Sequence, residues 1–146
     1  MSRVPIFVLD ASVGVKWCHQ EELSEKASHF LERLIRREIR IVVPEFFFVE
    51  FANVCVKRLN KKMITPDQAL SDLDETLKLS LESYPDRELS DVALENALRL
   101  GISAYDGLYI ALAEIYVAPL VTADEMLFKA CRKKFDFIES LREVKI

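Results

Sequence analysis

Pro5-Ile6-Phe7-Val8-Leu9-Asp10 leaves this chain few ways to fold. Four apolar residues in a row, with no polar residue alternating between them, suit a strand covered on both faces, the condition found at the centre of a parallel sheet. Ligands of open parallel sheets bind outside the carboxyl ends of the strands, so Asp10 stands at the edge where chemistry is done. Further strands are expected at Ile41-Val42-Val43 before Pro44, at residues 79–84 before Pro85, and at Ala118-Pro119-Leu120-Val121, with an edge strand at residues 135–138. Helical patterns lie between them. A short helix covers residues 11–17. Ser24 is the expected cap of a second, with Ala27, Phe30, Leu31, Leu34 and Ile35 at helical spacing. Pro44 and Glu45 open a third that runs to Asn60. Thr65-Pro66-Asp67-Gln68 is a capping box with proline at the first helical position. Another helix follows Pro85 and is stopped by Gly101, the next spans residues 103–117, and a last one starts at Asp124. Strand and helix alternate throughout, which predicts an α/β fold with a mostly parallel sheet and helices on both faces. The length of 146 residues predicts a single domain, 1–146.

Composition narrows the function classes. The net charge is −4, so the field of the whole molecule repels nucleic acid, and any such binding must come from local basic residues or metal ions. Lys57, Arg58, Lys61 and Lys62 form one basic cluster, which reads equally as a helix end complementing its dipole. Cys18, Cys55 and Cys131 lack metal-ligand spacing and are expected as reduced thiols rather than a zinc site. No apolar run approaches the 20 or so residues of a membrane span, and no secretion signal is recognisable, so a cytoplasmic protein without membrane contact is expected.

Four acids stand out. Asp10 follows the first strand, Asp106 lies in the first turn of a helix, and Asp124 follows the fourth strand; each could simply cap a helix. Glu50 cannot, because it sits at least five residues inside a helix that is apolar nearly all round, from Phe46 to Val56. Such a helix is buried or forms a subunit contact, and an ionised carboxylate inside it must find a partner. Positions three and four before it, Phe47 and Phe46, carry no base. Two solutions are open: a salt bridge to Lys57 or a distant arginine, or a metal ion shared with the other acids. A cluster of acids suits hard divalent cations, and such ions cleave phosphodiesters without a histidine base. His19 and His29 both read as ordinary polar positions.

Val8-Leu9-Asp10-Ala11-Ser12-Val13-Gly14-Val15-Lys16-Trp17, Val43-Pro44 with Glu50 and Asn53, Ala104-Tyr105-Asp106-Gly107-Leu108-Tyr109-Ile110-Ala111-Leu112-Ala113, and Val121-Thr122-Ala123-Asp124 closely resemble the PIN-domain ribonucleases. The subgroup they resemble is the VapC-type toxin of VapBC toxin–antitoxin pairs. The resemblance implies a three-layer α/β/α sandwich with a parallel sheet of order 3-2-1-4-5. It implies hydrolysis of RNA dependent on Mg²⁺ or Mn²⁺, with Asp10, Glu50, Asp106 and Asp124 as the metal-binding catalytic acids and Ser12, Asn53 and Thr122 in support. It also implies an antitoxin protein partner and a homodimer, which the aromatic run at residues 46–48 would suit as an exposed apolar surface.

A non-catalytic RNA-binding or interaction module on the same fold is the alternative; it predicts a missing acid, and the set here is complete. A phosphate-signalling receiver would need an acid pair at the first strand and a phosphoacceptor aspartate at the third; Asp10 has no acidic neighbour, and Leu81-Glu82-Ser83-Tyr84 offers no such aspartate. Position 12 is serine, which excludes an Asp-x-Asp phosphatase, and no P-loop occurs.

Overall fold

The structure, a computed structural model, describes residues 3–146. Five strands form one sheet of order β3-β2-β1-β4-β5, with every pairing parallel. They are β1 (Ile6–Leu9), β2 (Arg40–Pro44), β3 (Glu82–Tyr84), β4 (Leu120–Thr122) and β5 (Ile138–Ser140). Seven α-helices connect them: α1 (Ala11–Gly14), continued by a 3₁₀ turn at Val15–Trp17, α2 (Ser24–Ile35), α3 (Phe46–Asn60), α4 (Pro66–Leu77), α5 (Asp86–Leu100), α6 (Ala104–Tyr116) and α7 (Glu125–Cys131). The chain leaves β1 in one direction through β2 and β3, then returns to its other side through β4 and β5. Right-handed crossovers that leave in opposite directions cover opposite faces, and the crevice between β1 and β4 is the point of reversal where such sheets bind ligands.

The expectation for β1 holds: Val8 and Leu9 are fully buried, as are Ile41, Val42 and Val43 of β2 beside it. The other strands are shorter and later than their apolar runs. Of residues 79–84 only Glu82–Tyr84 pair, and β4 starts after Pro119, whose carbonyl receives the Val8 N–H. At the far edge, Phe135 packs into the core beyond α7, and pairing begins at Ile138. Apolarity identified what is buried, whereas pairing depends on where the chain straightens alongside its neighbour.

Helix signals fared similarly. Thr65 accepts from the Gln68 N–H at 3.2 Å, Gly101 ends α5 in the left-handed region at φ 69°, and Ser103 accepts from the Asp106 N–H at 3.1 Å. Ser24 is not a cap. It is the first residue of α2, entered through Leu23 at φ 67°, and its hydroxyl donates to the His19 carbonyl and accepts from the Glu21 N–H. The start of α3 is secured from a distance: the Phe46 N–H donates to Asp86 Oδ1 at 3.1 Å.

The main core draws on every strand and on α1, α2, α3, α5, α6 and α7. A second, smaller core joins the 3₁₀ turn to α3 and α4 through Val15, Phe51, Cys55, Ile64 and Ala69. Helix α6 is buried from Gly107 to Ala113, and it approaches α5 so closely that a Cβ on Gly107 would lie 2.3 Å from the Ala93 carbonyl oxygen. The three cysteines are free, with Cys55 and Cys131 buried and Cys18 half-buried. Arg58 leaves the basic surface cluster expected of it: it is buried, donating to the Val15 carbonyl and pairing with Glu21 at 3.3 Å. His19 is no ordinary polar position either, since its Nε2 lies 3.6 Å from Asp72 Oδ2, with neither atom hydrogen-bonded.

Candidate active site

Asp10 emerges from the carboxyl end of β1 into the crevice beside β4. Its carboxylate is buried and fully engaged. Oδ1 accepts from the Ser12 N–H at 3.1 Å and from the Ser12 hydroxyl, and Oδ2 accepts from the Thr122 hydroxyl at 2.5 Å. Ser12 Oγ also accepts from the Ala123 N–H at 2.9 Å, and Thr122 Oγ1 from the Asp124 N–H at 3.0 Å. The expected capping role of Asp10 is therefore real, but it is one strand of a network that splices the ends of β1 and β4. Asp124, exposed, caps α7 by accepting from the Met126 and Leu127 N–H groups at 3.0 and 3.1 Å.

Glu50 is half-buried on α3, and its partner is one that sequence reasoning did not single out. The Tyr109 hydroxyl, from α6, donates to Glu50 Oε1 at 2.6 Å. Among the described residues neither Lys57 nor any arginine forms a salt bridge with Glu50, although the Lys57 charge still favours the carboxylate. A signal was available: a tyrosine within a wholly buried helix must find a partner for its hydroxyl. Asp106 is half-buried in the first turn of α6. Asn53 lies three residues beyond Glu50, exposed, and its side chain forms no hydrogen bond among the described residues.

Electrostatics tie these side chains together. Burial pushes the Asp10 carboxyl up to about 7 against the pull of Ser12 and Thr122, with the Glu50 and Asp106 charges raising it further. Glu50 is raised by burial and by Asp106 and Asp124, while the Tyr109 hydrogen bond holds it down. Asp106 is raised by burial and by Asp124, against its Ser103 hydrogen bond. Four acids from β1, α3, α6 and the β4–α7 link thus feel one another at one sheet edge, and like charges of that kind favour either a bound proton or a bound cation.

Among the described residues no three His, Cys, Asp or Glu side chains form a ready-made metal cage. The donor set nevertheless fits a hard divalent ion. It is all oxygen, and Mg²⁺ keeps several of its waters while using one or two carboxylates, so it does not require three acids in mutual contact.

The PIN domain model matches residues 7–133. The chain belongs to the PIN-domain family. It is 31% identical over 124 residues to Ribonuclease VapC3 of Pyrobaculum aerophilum, spanning 82% of this chain and 90% of that protein. Two solved structures share the PIN fold. VapBC2 of Rickettsia felis, bound to a promoter DNA fragment, superposes with a TM-score of 0.67 at 21% identity over 92% of this chain and 98% of that one. VapC20 of Mycobacterium tuberculosis, a toxin that cleaves the sarcin–ricin loop, gives 0.64 at 14% identity over 86% and 95%. The resemblance to VapC-type PIN chains and the sheet order it implied are both borne out.

Tyr109→Phe removes one hydrogen bond and leaves the ring in place. A lost bond to a charged acceptor costs roughly 1.5–3 kcal/mol, and Glu50 is freed to swing. The variant is expected to melt a few degrees lower than the wild type. Thermal unfolding measures this; an unchanged melting temperature means that Tyr109 only packs.

Proposed function

We propose that this PIN-domain chain is an endoribonuclease that hydrolyses RNA phosphodiester bonds with Mg²⁺ or Mn²⁺, and that it is the toxin of a toxin–antitoxin pair. The observation that carries this reading is that Asp10, Glu50 and Asp106 are each raised by burial and by neighbouring acids, Asp124 among them, at one sheet edge of a chain related to a VapC ribonuclease. These four acids would hold the metal, and a divalent ion there would supply an activated water and charge stabilisation at the leaving oxygen. Ser12 and Thr122 fix both oxygens of Asp10, Tyr109 fixes Glu50, and Asn53 is the exposed supporting polar residue on α3. The charge of the acids, repulsive toward RNA on its own, makes substrate binding depend on the cation as well.

The partners follow the same reading. Val49 and Val56, 65% and 49% exposed, present apolar surface on α3 for a homodimer. The run at residues 46–48 contributes less than its sequence promised, because Phe47 is fully buried and Phe46 and Phe48 are half-buried. An apolar groove between α3 and α4, lined by Ala52, Val56, Leu59, Pro66, Leu70 and Leu73, suits an antitoxin segment laid in as a helix. No helix among the described residues is long and apolar enough to cross a membrane. With three free thiols the cytoplasm is the proposed compartment.

Purified protein is expected to cleave RNA with Mg²⁺ or Mn²⁺ and to stop in chelator. Glu50→Gln makes the test specific. The glutamine carbonyl still accepts from Tyr109 while one of the clustered charges is gone, so metal-free stability is expected to hold or rise. Metal binds only the folded site, so Mg²⁺ at roughly a hundredfold excess over its dissociation constant stabilises the wild type by about 2.7 kcal/mol. The variant is expected to lose most of that gain along with cleavage. Thermal unfolding of both proteins with and without Mg²⁺ reads the result; a variant that keeps the full gain removes Glu50 from the metal site.

A further inference from the structure

Helices α3 and α6 are joined by two rungs, one turn apart. The lower rung is the Tyr109–Glu50 hydrogen bond at 2.6 Å. The upper rung lies four residues earlier on each helix. There Phe46 and Tyr105 stack with ring centroids 4.9 Å apart and planes 15° from parallel. Positions i and i+4 share a helix face and are separated by one turn, about 5.4 Å, so the stacked pair stands one turn from the Glu50 carboxylate. Phe46 is held from behind, since its N–H is bound by Asp86 Oδ1. Tyr105 is 62% exposed and is followed directly by Asp106. Burial of apolar surface does not account for an aromatic ring left so open while its neighbour presents it flat.

We propose that Tyr105, backed by Phe46, is the stacking platform for an unpaired nucleobase of the RNA substrate, one nucleotide's reach from the phosphodiester held at the acids. This rests on the ribonuclease reading above and adds to it the residue that grips a base of the substrate. Sequence-specific RNA recognition favours unpaired bases stacked on aromatic rings. Such stacking tolerates any base, because every base has a π-face. An anionic substrate approaching an acidic edge gains little from the surrounding charge until a cation is bound, so an uncharged, flat contact is a suitable second anchor. Tyr105 is accordingly a positioning residue for the substrate and takes no part in proton transfer.

The test is a short single-stranded RNA carrying 2-aminopurine at successive positions, whose fluorescence falls when the base stacks. Binding is measured with the wild type, Tyr105→Phe and Tyr105→Leu in Ca²⁺, and cleavage of the same RNA in Mg²⁺. Wild type and Tyr105→Phe are expected to quench one labelled position strongly. Tyr105→Leu is expected to lose that quench and to bind about 5- to 150-fold more weakly, the range of one base–aromatic stack, with KM raised far more than kcat is lowered. A Tyr105→Leu protein that quenches and binds like the wild type overturns the platform while leaving the nuclease reading intact. So does one that keeps the quench but dissociates a dimer by light scattering, which would make the pair a subunit contact. A wild type that neither binds nor cleaves RNA overturns the ribonuclease reading, and the platform with it.

Discussion

Asp106→Asn and Asp10→Asn are each expected to reduce RNA cleavage by at least about a hundredfold, the scale of removing one group that stabilises charge in a transition state. The two variants should part company in stability. Asp106 is half-buried, its N–H donates to Ser103 whatever the side chain, and an asparagine oxygen can still accept from the Ser103 hydroxyl, so the fold is expected to hold. Asp10 accepts three hydrogen bonds, and an amide replaces one acceptor oxygen by a donor, forcing a neighbouring hydroxyl to turn. The charge itself works the other way. With its carboxyl raised from 3.8 to about 7, Asp10 binds a proton more tightly folded than unfolded. The native state then holds more protons across that interval, so metal-free stability falls as pH rises from about 4 to about 7. Glu50 and Asp106 are raised too and act in the same direction. Thermal unfolding in chelator at pH 5 and pH 8 should show the wild type losing stability at the higher pH, Asp10→Asn losing less, and Mg²⁺ restoring the wild type. A metal-free wild type equally stable at both pH values would mean that Asp10 is not held protonated by its burial.

Gly107→Ala is expected to be the most destabilising of the small substitutions. Alanine is favoured over glycine inside a helix by about 1 kcal/mol, but the added methyl would sit 2.3 Å from the Ala93 carbonyl oxygen, 3.0 Å from its carbon and 3.2 Å from its Cα. These are backbone atoms of the facing helix and cannot swing aside. Overpacking costs about 1–3 kcal/mol and occasionally more, and the geometry here calls for the upper end. At about 2–4 °C per kcal/mol for a chain of this size, a net loss near 2 kcal/mol lowers the melting temperature by roughly 4–8 °C. Because α6 carries Asp106 and Tyr109, any shift that relieves the contact also disturbs the acids, so cleavage should fall further than the melting temperature alone would require. Gly101→Ala is the control. Nothing lies within 4 Å of its Cβ, and its penalty comes only from φ 69°, so it should cost stability without an activity loss at temperatures where it is folded.

Much of this was legible in the residues. The buried run before Asp10 located the central strand, and the alternation of elements gave the sheet its class. The order of strands and the roles of the four acids came from resemblance to PIN chains, since periodicity does not say which strands neighbour one another. Glu50 was flagged correctly as an acid needing a distant partner, but both candidate partners were cations or metal. Its protein partner is a neutral hydroxyl 59 positions away, and no local pattern pairs residues at that separation. Arg58 was misread for the same reason: a basic residue at a helix end reads as exposed until the Val15 carbonyl and Glu21 are seen around it. The strand boundaries slipped by two or three residues because apolar runs record burial, and burial begins before the first paired residue.

The splice between Asp10 and Thr122 has a consequence for synthesis. The two side chains are separated by 112 positions. At 5–20 residues per second, Thr122 is added roughly 6–20 s after Asp10, and it must still clear the ribosome exit tunnel before it can reach β1. Until then Asp10 lacks the hydroxyl that fixes one of its oxygens, and the crevice lacks the wall that β4 supplies. A nascent chain can therefore hold Asp10, Glu50 and even Asp106 outside the ribosome without an assembled acid cluster. The order of translation assembles this crevice late, only once β4 has emerged to meet β1.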